Sequence, residues 1–258
     1  MHVWSIANQK GGVGKTTSVV TLGAMLADKG HRVLIFDLDP QGSLTSYFGY
    51  NPDQMEHSGY DLFMHKGKVP DDLPGQLLKE TSVAGMSLMP ASTALATLER
   101  NVSQQEGMGL VISKALARLW DDFDYALIDT PPLLGVLLIN SLAACQRLLI
   151  PVQTEFLALK GLERMIHTIE MVTASQKRSL DYLIIPTLFD RRTQASIKTL
   201  RTLREQYEGR IWHSAIPVDT RLRDASREGL SIAQLAPESR GARAYQSLLK
   251  NLIASGQG

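Results

Sequence analysis

Three short runs of the 258-residue chain combine residue types that can hold a phosphate chain and assist its hydrolysis. The first is Gln9-Lys10-Gly11-Gly12-Val13-Gly14-Lys15-Thr16-Thr17. Its glycines leave the backbone free to wrap around phosphate oxygens with the N–H groups pointing inward. Where such a loop runs into a helix, the helix N-terminus adds partial positive charge. Lys15 is placed to reach the β- and γ-phosphates, and the Thr16 hydroxyl to ligate Mg²⁺. The second run, Leu34-Ile35-Phe36-Asp37-Leu38-Asp39-Pro40-Gln41-Gly42-Ser43, ends an apolar stretch in two carboxylates. The third, Tyr125-Ala126-Leu127-Ile128-Asp129-Thr130-Pro131-Pro132, ends another in one. A carboxylate at the end of a buried strand suits Asp129 to hold Mg²⁺ through a coordinated water. Mg²⁺ keeps several of its own waters, so Thr16 and one carboxylate are enough protein ligands. A dinucleotide-binding turn is excluded, because G-x-G-x-x-G would need glycine where Thr17 stands.

These runs need elements to position them. Apolar, β-rich stretches predict strands at 3–8, 32–37, 86–89, 125–129, 146–151, 182–187 and 210–214. Helical patterns fall between them, at 16–29, 109–120, 135–144, 157–177, 195–208 and 241–253. Alternation of this kind predicts an α/β fold: a single doubly wound, mostly parallel sheet with helices on both faces. In such sheets ligands bind beyond the carboxyl ends of the strands, which is where all three runs sit. The chain reads as one domain over 1–258. Residues 51–85, with Pro52, Pro70 and Pro74 and several Gly and Asp, read as an irregular surface excursion.

Composition narrows the partners. Hydrophobic residues make up 44%, enough for a sizeable core. The 27 basic and 26 acidic residues leave a net charge of +1, so any nucleic-acid surface has to be a local patch. With Cys145 as the single cysteine, an intrachain disulfide and a Cys-x-x-Cys metal site are both excluded, and Cys145 is expected to be buried. No run approaches the ~20 apolar residues of a membrane span, and none reads as a signal peptide. A soluble cytoplasmic protein is the expectation.

The first loop departs from the general phosphate-loop pattern, with Gln9 where the first glycine belongs and Lys10 beside it. The resulting K-G-G-V-G-K-T-T resembles the deviant Walker A loop of the ParA/MinD family of P-loop ATPases. The likeness continues along the chain. Pro151-Val152-Gln153-Thr154-Glu155 through Gly161-Leu162 resembles the family's P-V-Q-x-E-x-x-A-L-x-G-L. Asp190-Arg191-Arg192-Thr193 resembles D-x-R-T. Ile216-Pro217 with Arg221-Leu222-Arg223-Asp224-Ala225 resembles I-P-(x)₃-R-L-x-E-A, and Ser239-Arg240-Gly241-Ala242-Arg243-Ala244-Tyr245 resembles S-x-G-A-x-A-Y. The short, Soj-type ParA proteins are most similar. The resemblance implies a Mg²⁺-dependent ATPase that dimerises when ATP-bound. Residues 10–17 and Pro217 would contact nucleotide, and Lys10 would reach the partner subunit's nucleotide. Asp39 would position the attacking water, Asp37 would support the metal and lysine environment, and Thr130-Pro131-Pro132 would sense nucleotide state. Lys10 in trans would act much as an arginine finger does, so hydrolysis is expected to be slow and stimulated by dimerisation or a partner.

Three roles differ in the surface they use. Soj-like proteins bind DNA without sequence preference through late basic residues, and the matching positions are Arg192 and Arg221. Lys198, Arg201 and Arg204 share a helix face nearby. Val218 stands where the family carries a basic residue. MinD-like relatives end in a basic amphipathic membrane helix. Here 245–253 holds one lysine and no Trp or Phe, so a helix packed on the core is expected, with no membrane insertion. The ParC-like subgroup, which positions chemotaxis arrays at cell poles, shares every motif above. The implied partners are a second subunit, non-specific DNA, and a ParB-like or other activating or anchoring protein, with the chain on the nucleoid or at a pole. A P-loop amide or carboxylate ligase is the rival of a different class.

Overall fold

The computed structural model describes residues 1–101, 107–175 and 179–255. Among the described residues seven strands form one sheet: β1 (His2–Ile6), β2 (Val33–Asp37), β3 (Lys79–Glu80), β4 (Met86–Met89), β5 (Tyr125–Asp129), β6 (Arg147–Gln153) and β7 (Asp181–Thr187). Their order is β3-β4-β2-β5-β1-β6-β7. All neighbours are parallel except β3 against β4. The helices are α1 (Lys15–Ala27), α2 (Ser43–Tyr47), α3 (Leu73–Gln76), α4 (Leu95–Asn101), α5 (Val111–Arg118), α6 (Val136–Ala144), α7 (Phe156–Ser175), α8 (Gln194–Gln206), α9 (Arg221–Glu228), α10 (Ile232–Leu235) and α11 (Arg240–Ser255).

Strand alternation divides the core. In β2, Leu34 and Phe36 face one layer, with α5, α6 and α7, while Val33 and Ile35 face the other, with α1 and α11. Both sheet faces are therefore covered, and the central strands read as continuous apolar runs. α1 starts where Gly14 takes a left-handed φ of 96° and is buried along most of its length. It ends at Asp28, shortly before Gly30 takes a φ of 87°. Cys145 is buried, as its composition predicts. α11 packs Tyr245, Leu248, Leu249 and Leu252 into the core. Among the described residues no helix is long and apolar enough to cross a membrane.

The structure differs from the sequence expectation in several places. No strand forms at 210–214. Arg210 and Trp212 flank Ile184 of β7 through two backbone hydrogen bonds of 2.8 and 2.9 Å, a single bridge. The chain then turns inward, burying Trp212 and Ile216. The segment 51–85 is irregular as expected, with short 3₁₀ turns, α3 and β3. It also packs onto the sheet, burying Leu62, Phe63 and Leu77 in the core. α2, α4, α9 and α10 have no counterpart in the expected helices. The expected helix at 109–120 begins in a 3₁₀ turn and is helical only over Val111–Arg118. The last two residues of the expected helix at 157–177 lie outside the described residues.

Candidate active site

The strand order explains how the three runs meet. β5 lies between β1 and β2, so their carboxyl ends are neighbours. Asp129 is in register with Ile6 on one side and with Asp37 on the other. The loop after Ile6 therefore wraps over the two aspartates. Gly12 and Gly14 take left-handed φ angles of 72° and 96°, which disfavour any residue with a side chain. Lys15 and Asp39 are both buried, at 8% exposure each.

Thr16 Oγ1 donates a 2.6 Å hydrogen bond to Asp129 Oδ2. Asp129 Oδ1 is buried and has no hydrogen-bond partner. Burial pushes the Asp129 carboxyl well above its ordinary range, and the neighbouring Asp37 adds to this. The Thr16 hydroxyl and Lys15 pull the other way. Asp37 is also raised by burial, against the hydrogen bonds it accepts. Its Oδ2 accepts from the Thr45 amide at 2.8 Å and the Thr45 hydroxyl at 2.7 Å. Its Oδ1 accepts from the Asp39 amide at 3.1 Å. The geometry therefore engages Asp37 in fixing the turn that carries Asp39, behind the Thr16–Asp129 pair. Asp39 accepts from the Gln41 amide at 3.0 Å and is raised by burial, with Lys15 opposing.

A Mg²⁺ ion fits this donor set. A buried carboxylate oxygen without a partner, beside a hydroxyl and near a second carboxylate, is a hard oxygen site that a divalent cation would neutralise. Thr16 and Asp129 are the residues that could hold it.

A cavity of about 630 Å³ opens above these groups. Residues 11–17, Asp39, Leu188 and the loop 216–220 line it, Pro217 among them. Thr187, Leu188, Asp219 and Tyr245 also line it and were not anticipated as site residues. The Thr187 hydroxyl donates to the Val13 carbonyl at 2.9 Å, fastening the end of β7 to the phosphate loop. Leu188, the next residue, holds a φ of 51°, an unusual backbone for leucine. The one sequence signal for this group was the S-x-G-A-x-A-Y likeness, which ends on Tyr245.

Lys10 does not point into this cavity's lining. Its Nζ donates to Gln153 Oε1 at 2.9 Å and pairs with the Glu155 carboxylate, both just beyond the Pro151–Val152 stretch of β6. Phe156 and Leu157, the next two residues, are exposed at 67% and 75%. Leu133 and Leu134, which follow Pro132, are exposed as well.

Arg192 and Arg221 are both exposed. Arg192 forks onto Asp190, with Nε at 2.9 Å and Nη2 at 2.8 Å, and lines a second cavity of about 490 Å³ with Arg191 and Arg240. Arg221 opens α9. On α8, Arg201 is paired with Glu205 at 2.8 Å. Part of the expected basic stripe is thus neutralised within the chain.

Fold and site together define a P-loop nucleotide-binding architecture, and a family described as an AAA domain matches residues 1–182. The chain is 36% identical to the sporulation initiation inhibitor protein Soj of Bacillus subtilis over 255 residues, covering 98% of each. It is 33% identical to the chromosome partitioning protein ParA of Caulobacter vibrioides, covering 98% of this chain and 94% of that one. It belongs to the ParA/Soj-like family of P-loop ATPases. Among solved structures, a cobyrinic acid a,c-diamide synthase of Mycobacterium smegmatis with bound ATP analogue and magnesium is 35% identical, with a TM-score of 0.85 over 100% of this chain and 96% of that one. Apo McdA of Cyanothece shares the fold, with a TM-score of 0.85 at 22% identity over 98% of this chain and 99% of that one.

Proposed function

We propose that this chain is a Mg²⁺-dependent switch ATPase that dimerises with ATP and segregates or positions a cellular cargo. The observation that carries the reading is one arrangement: Thr16 on Asp129 with its orphaned Oδ1, Lys15 and Asp39 buried beside it, and Lys10 outside that lining. Residues 11–17 would bind the triphosphate through backbone N–H groups, and Lys15 would neutralise the β/γ oxygens. Mg²⁺, held by Thr16 and Asp129, would supply charge neutralisation on the same oxygens. Asp39, kept in place by the turn that Asp37 fixes, would orient the attacking water. Lys10 would serve a second subunit, leaving its own Glu155 to do so. The exposed Leu133, Leu134, Phe156 and Leu157 favour such a face-to-face copy, because apolar side chains gathered around a site mark association surfaces. A charge delivered only on dimerisation makes the isolated subunit slow, and a partner that stabilises the dimer would set the timing.

Asp39→Ala should keep ATP binding and accumulate as a dimer, while Lys15→Ala should lose binding. Light scattering with ATP and with ADP checks this, and an Asp39→Ala protein that stays monomeric with ATP bound would sink the switch. DNA and an anchored protein are the two candidate tracks, a ParB-like or ParC-like system respectively. The likeness to the diamide synthase structure favours a second reading, an ATP-dependent amide ligase. ATP turnover that requires a carboxylic acid substrate and an amine donor would establish it, whereas turnover stimulated by DNA or a protein partner supports the switch.

A further inference from the structure

The phosphate loop and the helix it opens are fastened to later parts of the chain at two points. Ser18, in the first turn of α1, donates to the Gly14 carbonyl at 2.7 Å, and its Oγ lies 2.9 Å from the Tyr245 hydroxyl of α11, with both side chains buried. That fastening ends in the core. The other leads to the surface. Thr187, whose hydroxyl donates to the Val13 carbonyl, accepts on its own carbonyl from the Thr154 amide at 3.1 Å. Thr154 Oγ1 lies 2.5 Å from Ser196 Oγ. Ser196 Oγ accepts from the Asp190 amide at 3.1 Å, and the Asp190 carboxylate holds the Arg192 guanidinium. Thr154, Thr187 and Ser196 are all buried. A buried hydroxyl or amide that loses its partner is costly, so each of these bonds constrains the next.

Three features set this path apart from ordinary core hydrogen bonding. Its two ends differ: one is the phosphate loop, the other a turn that presents Arg191 and Arg192, both exposed. No residue from 190 to 196 lines the nucleotide cavity, so a ligand there reaches the turn only through the chain. Next, the path passes beside Leu188, which does line the cavity and holds its left-handed φ of 51° between Thr187 and Phe189. The Phe189 amide is tied to the Ile216 carbonyl at 3.0 Å. Such a backbone persists only where its surroundings over-determine it, so this joint responds to what presses on it. Last, Glu155, the residue after Thr154, is the partner of Lys10. An event at that lysine therefore falls on the same strand end.

We propose that Thr154 and Ser196 are positioning residues of a nucleotide-linked joint: through the bond between their hydroxyls, filling of the phosphate loop orders the turn at 190–193 that presents Arg191 and Arg192. This rests on the nucleotide reading of the cavity and not on the identity of the track. Ordering the phosphate loop orders what is fastened to it, and the Thr154–Ser196 contact is the one link between side chains of two different elements on the way to the turn. Such coupling is reciprocal, so a polyanion seated on Arg191 and Arg192 would tighten nucleotide binding by the same factor. Thr154→Val keeps the shape of the side chain and removes its hydroxyl. Ser196→Ala removes the facing one, and Thr154→Ser retains the bond.

The test is amide hydrogen exchange over residues 10–17 and 190–196, read by mass spectrometry with and without a non-hydrolysable ATP analogue and Mg²⁺. In the unmutated protein the analogue should slow exchange at 10–17. It should also slow exchange at 190–196 by about two- to tenfold, the factor that one net hydrogen bond corresponds to. Thr154→Val and Ser196→Ala should keep the first response and lose the second, and Thr154→Ser should keep both. The double variant should behave as either single one does, because both remove the same link. A response at 190–196 that persists in Thr154→Val and Ser196→Ala overturns the proposal. So does loss of both responses together, which general loosening of the fold would give. Slowing at 10–17 with none at 190–196 in the unmutated protein overturns it too, and leaves the nucleotide reading standing. No slowing at 10–17 in the unmutated protein overturns the nucleotide reading and the proposal with it.

Discussion

Lys10 is held by its own chain, on Gln153 and Glu155, although its proposed work lies on another subunit. Both members of the pair are partly exposed, at 44% and 38% for the side chains. Ion pairs of that kind contribute about 0.2–1 kcal/mol. On the proposed function, releasing Lys10 would oppose dimer formation by a small amount. Glu155→Gln should raise the dimerisation constant of the ATP-bound protein by about 1.4- to fivefold per pair released, the range such a pair spans. Analytical ultracentrifugation with ATP measures it, and an unchanged or lower dimer fraction would show that Glu155 does not restrain Lys10. The lysine itself was legible in the sequence, because its loop is covalently local. Its partner was not. Glu155 was read only as part of a matched motif, and nothing in the spacing says that the end of β6 comes alongside the loop after β1.

Among the elements, the parallel ladder was legible from its apolar runs, and so was the placing of three motifs at strand ends. The strand expected at 210–214 failed because one bridge to β7 is all that forms before Trp212 and Ile216 are drawn into the core. Only tertiary packing decides that. β3 escaped notice because two residues carry no period. At the opposite, amino ends of the strands, Asp124 fastens the entry of β5 to the entry of β2. It accepts from the Arg32 amide at 2.8 Å and from Arg32 Nη2 at 2.9 Å. The Arg32 guanidinium hydrogen bond holds the Asp124 carboxyl down at about 2. A carboxyl whose pKa is lower in the folded chain than the ordinary ~3.9 stabilises the fold above that value. That contribution is lost as pH falls from about 4 towards 2. Asp124→Asn should therefore melt slightly below the unmutated protein at pH 7, with the gap closing towards pH 2. Melting curves across that window test it, and a gap that persists at the acid end would mean that the ion pair is not its source.

At the scale of the whole molecule, a net charge of +1 gives no general attraction to nucleic acid, so DNA retention depends on where the arginines stand. Arg192 is tied to Asp190, whose carboxyl the guanidinium holds at about 2, so no change of pH near neutrality frees it. Arg221 is exposed without a carboxylate partner among the described ion pairs. If DNA is the track, ATP-bound protein should be retained on duplex DNA with affinity falling steeply between about 50 and 200 mM salt, as counterion release requires. Arg192→Glu and Arg221→Glu should weaken retention and leave the ATP dimer intact. Asp190→Asn, which frees a guanidinium, should strengthen it. Co-sedimentation at the two salt limits decides. No ATP-dependent retention at the lower limit would leave an anchored protein as the track.

The hydrogen bond between Ser18 and Tyr245 spans 227 positions of sequence. Chains are made in order, at about 5–20 residues per second, so roughly 10 to 45 s separate the synthesis of the two residues. Through that interval the phosphate loop exists without the helix that braces it. A chain still attached to the ribosome and stopped before residue 216 should not retain ADP, whereas the released chain should. The arrangement thus makes nucleotide retention wait on residues that follow the phosphate loop by some 200 positions.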